Sequence, residues 1–268
     1  MRILLGLILA SALSGASVDG IEIHWTPAGK GGTTVILVHG WTGDESAWSA
    51  QVPALVAAKY RVITLDLPGH GKSGSPKDGK FSMDLFARAI EAVRVEAGIN
   101  RAVLVGHSMG TPVIRQYARL YPKRTLALVF ADGVVMKPEN GATFATMSPR
   151  FLGPDGPKNH EQFVRAMCIV TPEEMRTNIL KVSMATPEAT VYGAMAALGD
   201  PEIWNEGVID IPVLGIYADK SKLADQEVIH RVFPKLEYVE IPGTDHFLMM
   251  EKPGEFNSYL LDFLKKHS

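Results

Sequence analysis

The sequence predicts an α/β protein: a mostly parallel, doubly wound sheet with a helical insertion between two of its strands. Three observations carry this. Short, almost continuous apolar runs recur along the chain, and helix-like segments alternate with them. The alternation lapses between about residues 136 and 207 and then resumes. Runs of this kind belong to strands buried on both faces of a parallel sheet, and strand–helix alternation is the pattern of doubly wound folds. The 268 residues suffice for one large domain with an insertion.

In chain order, a leader comes first. Arg2 precedes an apolar run over residues 3–13, which gives way to Ser14, Gly15, Ala16 and Ser17. A charge, a short apolar core and a small-residue exit describe a secretory signal peptide, and the run is too short to span a bilayer comfortably. Residues 1–17 are assigned to this leader, with Ser14 and Ala16 as the small pair before the cleavage point. The mature protein is then expected to be secreted or periplasmic, with no stable membrane span. A membrane-associated N-terminal helix is the competing reading of the same run.

Residues 21–25 alternate and read as an edge strand. Residues 33–38, 61–65, 102–105 and 126–131 read as buried strands, and 213–217 and 236–241 continue the series. Ser82 is placed to cap a helix whose apolar stripe is Leu85, Phe86, Ala89, Ile90 and Val93 and which Gly98 closes. Residues 109–121 form a second helix, stopped by Pro122, and 253–266 a third. Between 136 and 207 the best helical pieces are 160–169, 173–184 and 189–198. These are expected to lie over the sheet as a cap (residues 136–207) on a core made of 18–135 and 208–268.

Charge excludes some classes of partner. With 27 basic and 29 acidic residues the formal charge is −2, so no nucleic-acid or polybasic membrane surface is indicated. A small-molecule, ester-like substrate is the expected partner. There is no His-Glu-x-x-His and no Cys-x-x-Cys, so neither metal nor cofactor is expected. The single cysteine, Cys168, lies in an apolar helical stretch and reads as packing.

Three motifs carry chemistry. Gly106-His107-Ser108-Met109-Gly110 follows a strand and opens a helix, the setting of a nucleophile elbow. Glycines two residues either side of Ser108 remove the clashes such a turn creates, and the helix N-terminus favours developing negative charge. His39-Gly40-Trp41 ends an earlier strand; the Trp41 N–H, with that of Met109, suits an oxyanion hole. Gly243-Thr244-Asp245-His246-Phe247 follows the last strand, placing the His246 imidazole at the same sheet edge as Ser108, as a base near neutral pH requires. Asp245 adjoins His246, but neighbouring side chains in a loop rarely face each other.

These motifs, with Asp66-Leu67-Pro68-Gly69-His70-Gly71-Lys72-Ser73, resemble the α/β-hydrolase superfamily over nearly the whole chain after residue 20, in its capped esterase-like and C–C-hydrolase-like branch. The resemblance implies a triad, an oxyanion hole and a lid, and makes the Asp66–Ser73 stretch a structural turn. It departs from the family at the acid. The usual Gly-x-x-Asp after the penultimate strand is here Tyr217-Ala218-Asp219-Lys220-Ser221, with serine at the acid position and Asp219 two residues early. Asp132, directly after the strand beside the nucleophile's, matches a minority placement of the acid. Asp132 is preferred and Asp219 is its rival; Asp132-Gly133 can also simply start a turn.

The expected function is a serine hydrolase acting on a small or medium apolar carboxylic ester. Hydrolysis of a C–C bond or a lactone on the same residues is one alternative, and a slow-turnover, receptor-like binder is another. Dehalogenase and epoxide hydrolase chemistry is disfavoured, because those branches use aspartate where Ser108 stands. Six of the 11 methionines lie in the insertion. With Phe144, Phe151 and Phe163 they either line an adaptable apolar pocket or pack the cap's own core.

Overall fold

Valine, isoleucine and leucine dominate the runs marked as strands. The computed structural model, which describes residues 15–205 and 207–267, shows how they pair. A hairpin of β1 (Ser17–Val18) and β2 (Ile21–Glu22) precedes β3 (Trp25–Ala28), β4 (Thr34–Val38), β5 (Arg61–Leu65), β6 (Ala102–His107), β7 (Thr125–Ala131), β8 (Val213–Ala218) and β9 (Leu236–Ile241). The last seven form one sheet in the order β3-β5-β4-β6-β7-β8-β9, parallel throughout except for β3, which runs antiparallel to β5.

Strand alternation sends successive side chains to opposite faces. Ile36, Val38, Leu104, Leu128 and Phe130 join one core with α2 (Met83–Glu96) and α3 (Gly110–Leu120). Their neighbours Val35, Leu37, Val103, Val105 and Val129 join a second core with α1 (Gln51–Ala57) and, near the C-terminus, residues Phe256, Leu260 and Phe263. Both faces of the central strands are therefore dry, which is why their sequence is apolar without alternation.

Residues 21–25 are not one edge strand. Asp19 and Gly20, both at positive φ (51° and 76°), make an Asp-Gly turn that ties β2 back to β1, and the sheet edge begins later, at β3. Ala16 is 3 % exposed, its carbonyl accepts from Ile23 N–H at 2.8 Å, and Ser17 pairs within the hairpin. Residues given to the leader's exit thus belong to this fold. Residues 1–14 of the expected leader lie outside the described residues. No helix among the described residues is long and apolar enough to cross a membrane.

Between β7 and β8 the chain forms α4 (Pro138–Met147), α5 (Gly156–Met167), α6 (Glu173–Met184) and α7 (Glu188–Leu198), with no sheet strand among the described residues. The chain after β8 adds α8 (Gln226–Val232), α9 (Leu248–Glu251) and α10 (Pro253–His267). Ser82 Oγ accepts from Leu85 N–H at 3.1 Å and caps α2 as its sequence signals, and Gly98 at φ 65° ends the helix in the left-handed conformation.

Candidate active site

Parallel register brings the functional loops to one edge. Val38 pairs with Gly106, His107 with Ala131, Ala131 with Ile216, and Ala218 with Ile241. The residues just past these positions are His39–Trp41, Ser108, Asp132, Asp219 and the His246 loop, so all five loops leave the sheet on its C-terminal side.

Ser108 sits between β6 and α3 at φ 53°, a left-handed conformation that a non-glycine residue adopts at a cost of order 1 kcal/mol. The flanking glycines explain how it is tolerated. A Cβ on Gly106 would come within 2.5 Å of Gly110 O, and one on Gly110 within 2.5 Å of Val38 O. Gly40 passes so close that its Cβ would lie 2.9 Å from that of Ser108. Turn hydrogen bonds pin the elbow: Ser108 N–H donates to Ala131 O (3.1 Å) and Thr111 N–H to Ser108 O (3.0 Å). The N–H groups of Trp41 and Met109 have no partner among the described residues. Free donors beside a serine at a helix N-terminus are what a developing oxyanion needs.

His246 Nδ1 lies 2.7 Å from Asp132 Oδ2, with the two side chains 5 % and 0 % exposed. The other oxygen of Asp132 accepts from Ala218 N–H at 3.2 Å, and Asp132 itself is at φ 44°. The structure therefore brings Asp132 to His246. Asp219 goes elsewhere: its Oδ1 accepts from Gly243 N–H (2.9 Å) and Thr244 N–H (3.2 Å), and Lys220 pairs with its other oxygen. It pins the start of the loop that carries His246 and does not touch the ring. Ser108 Oγ makes no hydrogen bond to His246 here; the two share one cavity, and such contacts commonly tighten only around substrate.

In the sequence His107 is simply a member of the elbow motif. Its Nε2–H donates to His246 O at 2.7 Å, and the two rings meet at a tilt of 41° with centroids 4.7 Å apart. Burial, and then the neighbouring His246, push its pKa well below the ordinary histidine value, so it is a neutral brace for the His246 loop. Asp245, beside His246, points away from it. It accepts from Val170 N–H (2.7 Å), Thr171 N–H (2.9 Å) and Thr171 Oγ, joining the α5–α6 connection to the core. Glu251 closes this cluster: one carboxyl oxygen lies 2.8 Å from Thr171 Oγ, and the other accepts from Asp245 N–H at 2.8 Å. Nothing in the spacing of these residues announces the cluster, because its partners lie up to 80 positions apart.

A cavity of about 100 Å³ opens over Ser108 and His246. Phe144, Phe163, Met167, Met195 and Leu198 roof it from α4, α5 and α7, and Trp41, Val134, Leu223 and Phe247 complete its walls. Four of the insertion's methionines and phenylalanines thus line a pocket, whereas Met136, Met147 and Met175 pack against the core and Met184 is exposed. A second apolar cavity of about 90 Å³ adjoins it, sharing Trp41, Gly43, Ala47, Met167 and Phe247. No Lys or Arg lines either cavity among the described residues.

Side-chain donors of His24, Glu45 and Asp66 come within 4.8 Å of one another. They are already engaged: Glu45 pairs with His24 and Lys72 and accepts from Thr64, and Asp66 accepts from the N–H groups of Glu45 and Lys72. The group holds the Asp66–Ser73 turn against the β4 loop, and its saturated donors do not fit a metal site. Cys168 is buried, and burial first pushes its thiol up to about 11, which fits packing and not nucleophilic chemistry.

Comparison with known proteins gives the family and the fold. Residues 33–253 match the family model described as alpha/beta hydrolase fold. The chain is 38% identical, over 92% of its length and 93% of the relative's, to a 2-hydroxy-6-oxononadienedioate/2-hydroxy-6-oxononatrienedioate hydrolase of Burkholderia vietnamiensis. It is 26% identical to a pimeloyl-[acyl-carrier protein] methyl ester esterase of Klebsiella pneumoniae, over 90% of this chain and 96% of that one. Among solved structures, a thermophilic esterase from Thermogutta terrifontis superposes with a TM-score of 0.81 at 25% identity, covering 95% of this chain and 97% of that one.

Proposed function

Because the chain belongs to the α/β-hydrolase fold family, we propose that it is a serine hydrolase that cleaves a small or medium apolar carboxylic ester through an acyl-enzyme on Ser108. The observation that carries this reading is the 2.7 Å contact of His246 with Asp132 at the cavity that also holds Ser108. His246 takes the Ser108 proton as the hydroxyl attacks the ester carbonyl, and Asp132 orients the ring and stabilises its cationic form. The Trp41 and Met109 N–H groups receive the oxyanion. Collapse expels the alcohol, which takes its proton from His246. A water deprotonated by His246 then releases the acid and frees Ser108.

The lining argues for the substrate. Two adjoining apolar cavities suit the two arms of a neutral ester. A C–C hydrolase acting on a dioate is the second reading, favoured by the 38% identity to the Burkholderia vietnamiensis enzyme. Burying a dicarboxylate without a cation is costly, and neither cavity supplies one, so the neutral ester is preferred. A lactone meets the same requirement. The apolar run before Ser14 supports export of the protein, and the mature N-terminus, read by sequencing, tests it.

A series of p-nitrophenyl esters of increasing acyl length tests the central claim. Turnover is expected on short to medium chains, and Ser108→Ala should lower kcat by on the order of 10⁴-fold or more. A variant that keeps full activity sinks the assignment. Stoichiometric fluorophosphonate labelling without turnover on any ester would instead favour a receptor-like binder.

A further inference from the structure

Trp41 and Thr42 follow the β4 motif and belong to the core, yet most of what holds their side chains comes from the cap. Thr42 is a β-branched residue at φ 54°, a conformation it keeps only when its surroundings impose it. Its Oγ lies 2.6 Å from Ser183 Oγ of α6, and Ser183 Oγ lies 2.8 Å from Nε2 of His160 on α5. The Thr42 side chain and Ser183 are buried, and His160 is 3 % exposed. Trp41 is gripped in parallel. Its indole N–H donates to Val191 O at 2.9 Å, and its ring meets His160 edge-on at 4.9 Å.

Ser183 and His160 look like a second catalytic pair, but the setting opposes it. Ser183 lies inside a helix and not on a turn, and no carboxylate touches His160 among the described residues. Burial lowers the His160 pKa to about 4, so the ring is neutral and can only take part in the hydrogen-bonded line. What the line reaches is the residue next to the proposed oxyanion donor.

We propose that His160 and Ser183 are positioning residues of the cap: they lock Thr42 in its left-handed conformation and so aim the Trp41 N–H, making oxyanion stabilisation depend on the cap being seated. The inference rests on the serine-hydrolase reading. With the line intact, the donor stays fixed before charge develops, which is where preorganisation lowers a barrier. With it broken, substrate still enters the cavity over Ser108, which neither His160 nor Ser183 lines, and the adjoining cavity loses only the Ser183 hydroxyl from its wall, but Thr42 relaxes and the donor drifts.

The test uses the whole protein with Ser183→Ala and His160→Phe, the latter keeping an aromatic edge against Trp41. Thr177→Ala, which removes an exposed hydroxyl bonded to its own helix α6, serves as control. The expected result is a kcat lowered by on the order of 10- to 100-fold with KM changed less than about twofold. Affinity for an aryl trifluoromethyl ketone, whose adduct with serine bears an oxyanion, should fall by the same factor, and Thr177→Ala should match wild type. The proposal is overturned if folded Ser183→Ala and His160→Phe keep wild-type kcat and ketone affinity, or if their loss is confined to KM. A wild-type protein that neither turns over esters nor labels with a fluorophosphonate would overturn the serine-hydrolase reading itself, so the two failures are distinguishable.

Discussion

Both oxygens of Asp132 are engaged, one by the His246 ring and one by the Ala218 N–H. An amide in its place would keep the shape but lose the charge that fixes the tautomer. Asp132→Asn is therefore expected to lower kcat by on the order of 10³- to 10⁴-fold with the protein still folded. Asp219→Asn should cost far less, below about 10-fold, because Asp219 holds backbone N–H groups of the loop and an amide oxygen can still accept from them. Steady-state kinetics on one p-nitrophenyl ester separates the two, and a crippled Asp219→Asn beside a healthy Asp132→Asn reverses the assignment. Ser108 and His246 were legible because each sits in a motif after a recognisable strand. The carboxylate that meets His246 was legible only as a choice between two aspartates, since both follow strands at the same edge and nothing in sequence says which one faces the ring. His107 was invisible as a brace, because the carbonyl it meets lies 139 positions away.

At the level of elements, the strand–turn–helix around Ser108 is built on missing side chains. Gly110 lies against the carbonyls of Val38 and His39, at distances no Cβ tolerates. Gly110→Ala must push α3 away from β4 and is expected to destabilise by about 1–3 kcal/mol, read as a lowered midpoint in urea. An unchanged midpoint would mean that the elbow relaxes more freely than its contacts suggest. The apolar strands and the capped helix α2 were predicted from composition and spacing because burial and capping leave local marks. α1 and α4 left few. α1 has seven residues, no side-chain cap and an internal proline. α4 carries Gly141 in its middle, a poor helix former that is there because Trp204 packs on it, with its ring 2.5 Å from where a Cβ would stand. Tertiary packing, which sequence periodicity does not record, decides both.

At the scale of the molecule, cap and core are clasped through Thr171, Asp245 and Glu251. Burial first, and then the hydrogen bond and charge of Asp245, hold the Glu251 carboxyl up at about 7, against 4.5 for an ordinary glutamate. Between those values the folded protein keeps a proton that the unfolded chain has lost. The stability this group contributes is thus full at acidic pH and is lost as pH rises through 7. Asp245, held below its ordinary value mainly by hydrogen bonds that outweigh burial, acts oppositely and only below about pH 4. On the cap side Arg176 donates to Thr171 O and brings a cation to the clasp. Thermal midpoints measured from pH 5.5 to 8.5 should therefore fall in the wild type. Glu251→Gln, neutral throughout, should flatten that slope, and an equal slope in both proteins would exclude Glu251 as its source. The order of loops along the chain has a further consequence. Ser108 and Asp132 precede the cap, whereas His246 follows it, 114 positions after the aspartate it contacts. Pairing β8 onto β7 must close a loop containing the entire cap, a non-local step that is slow relative to forming the β4–β6–β7 half. A nascent or refolding chain would consequently carry the proposed nucleophile in an inert half-site, and the competence proposed for it would appear only when the second half of the sheet docks.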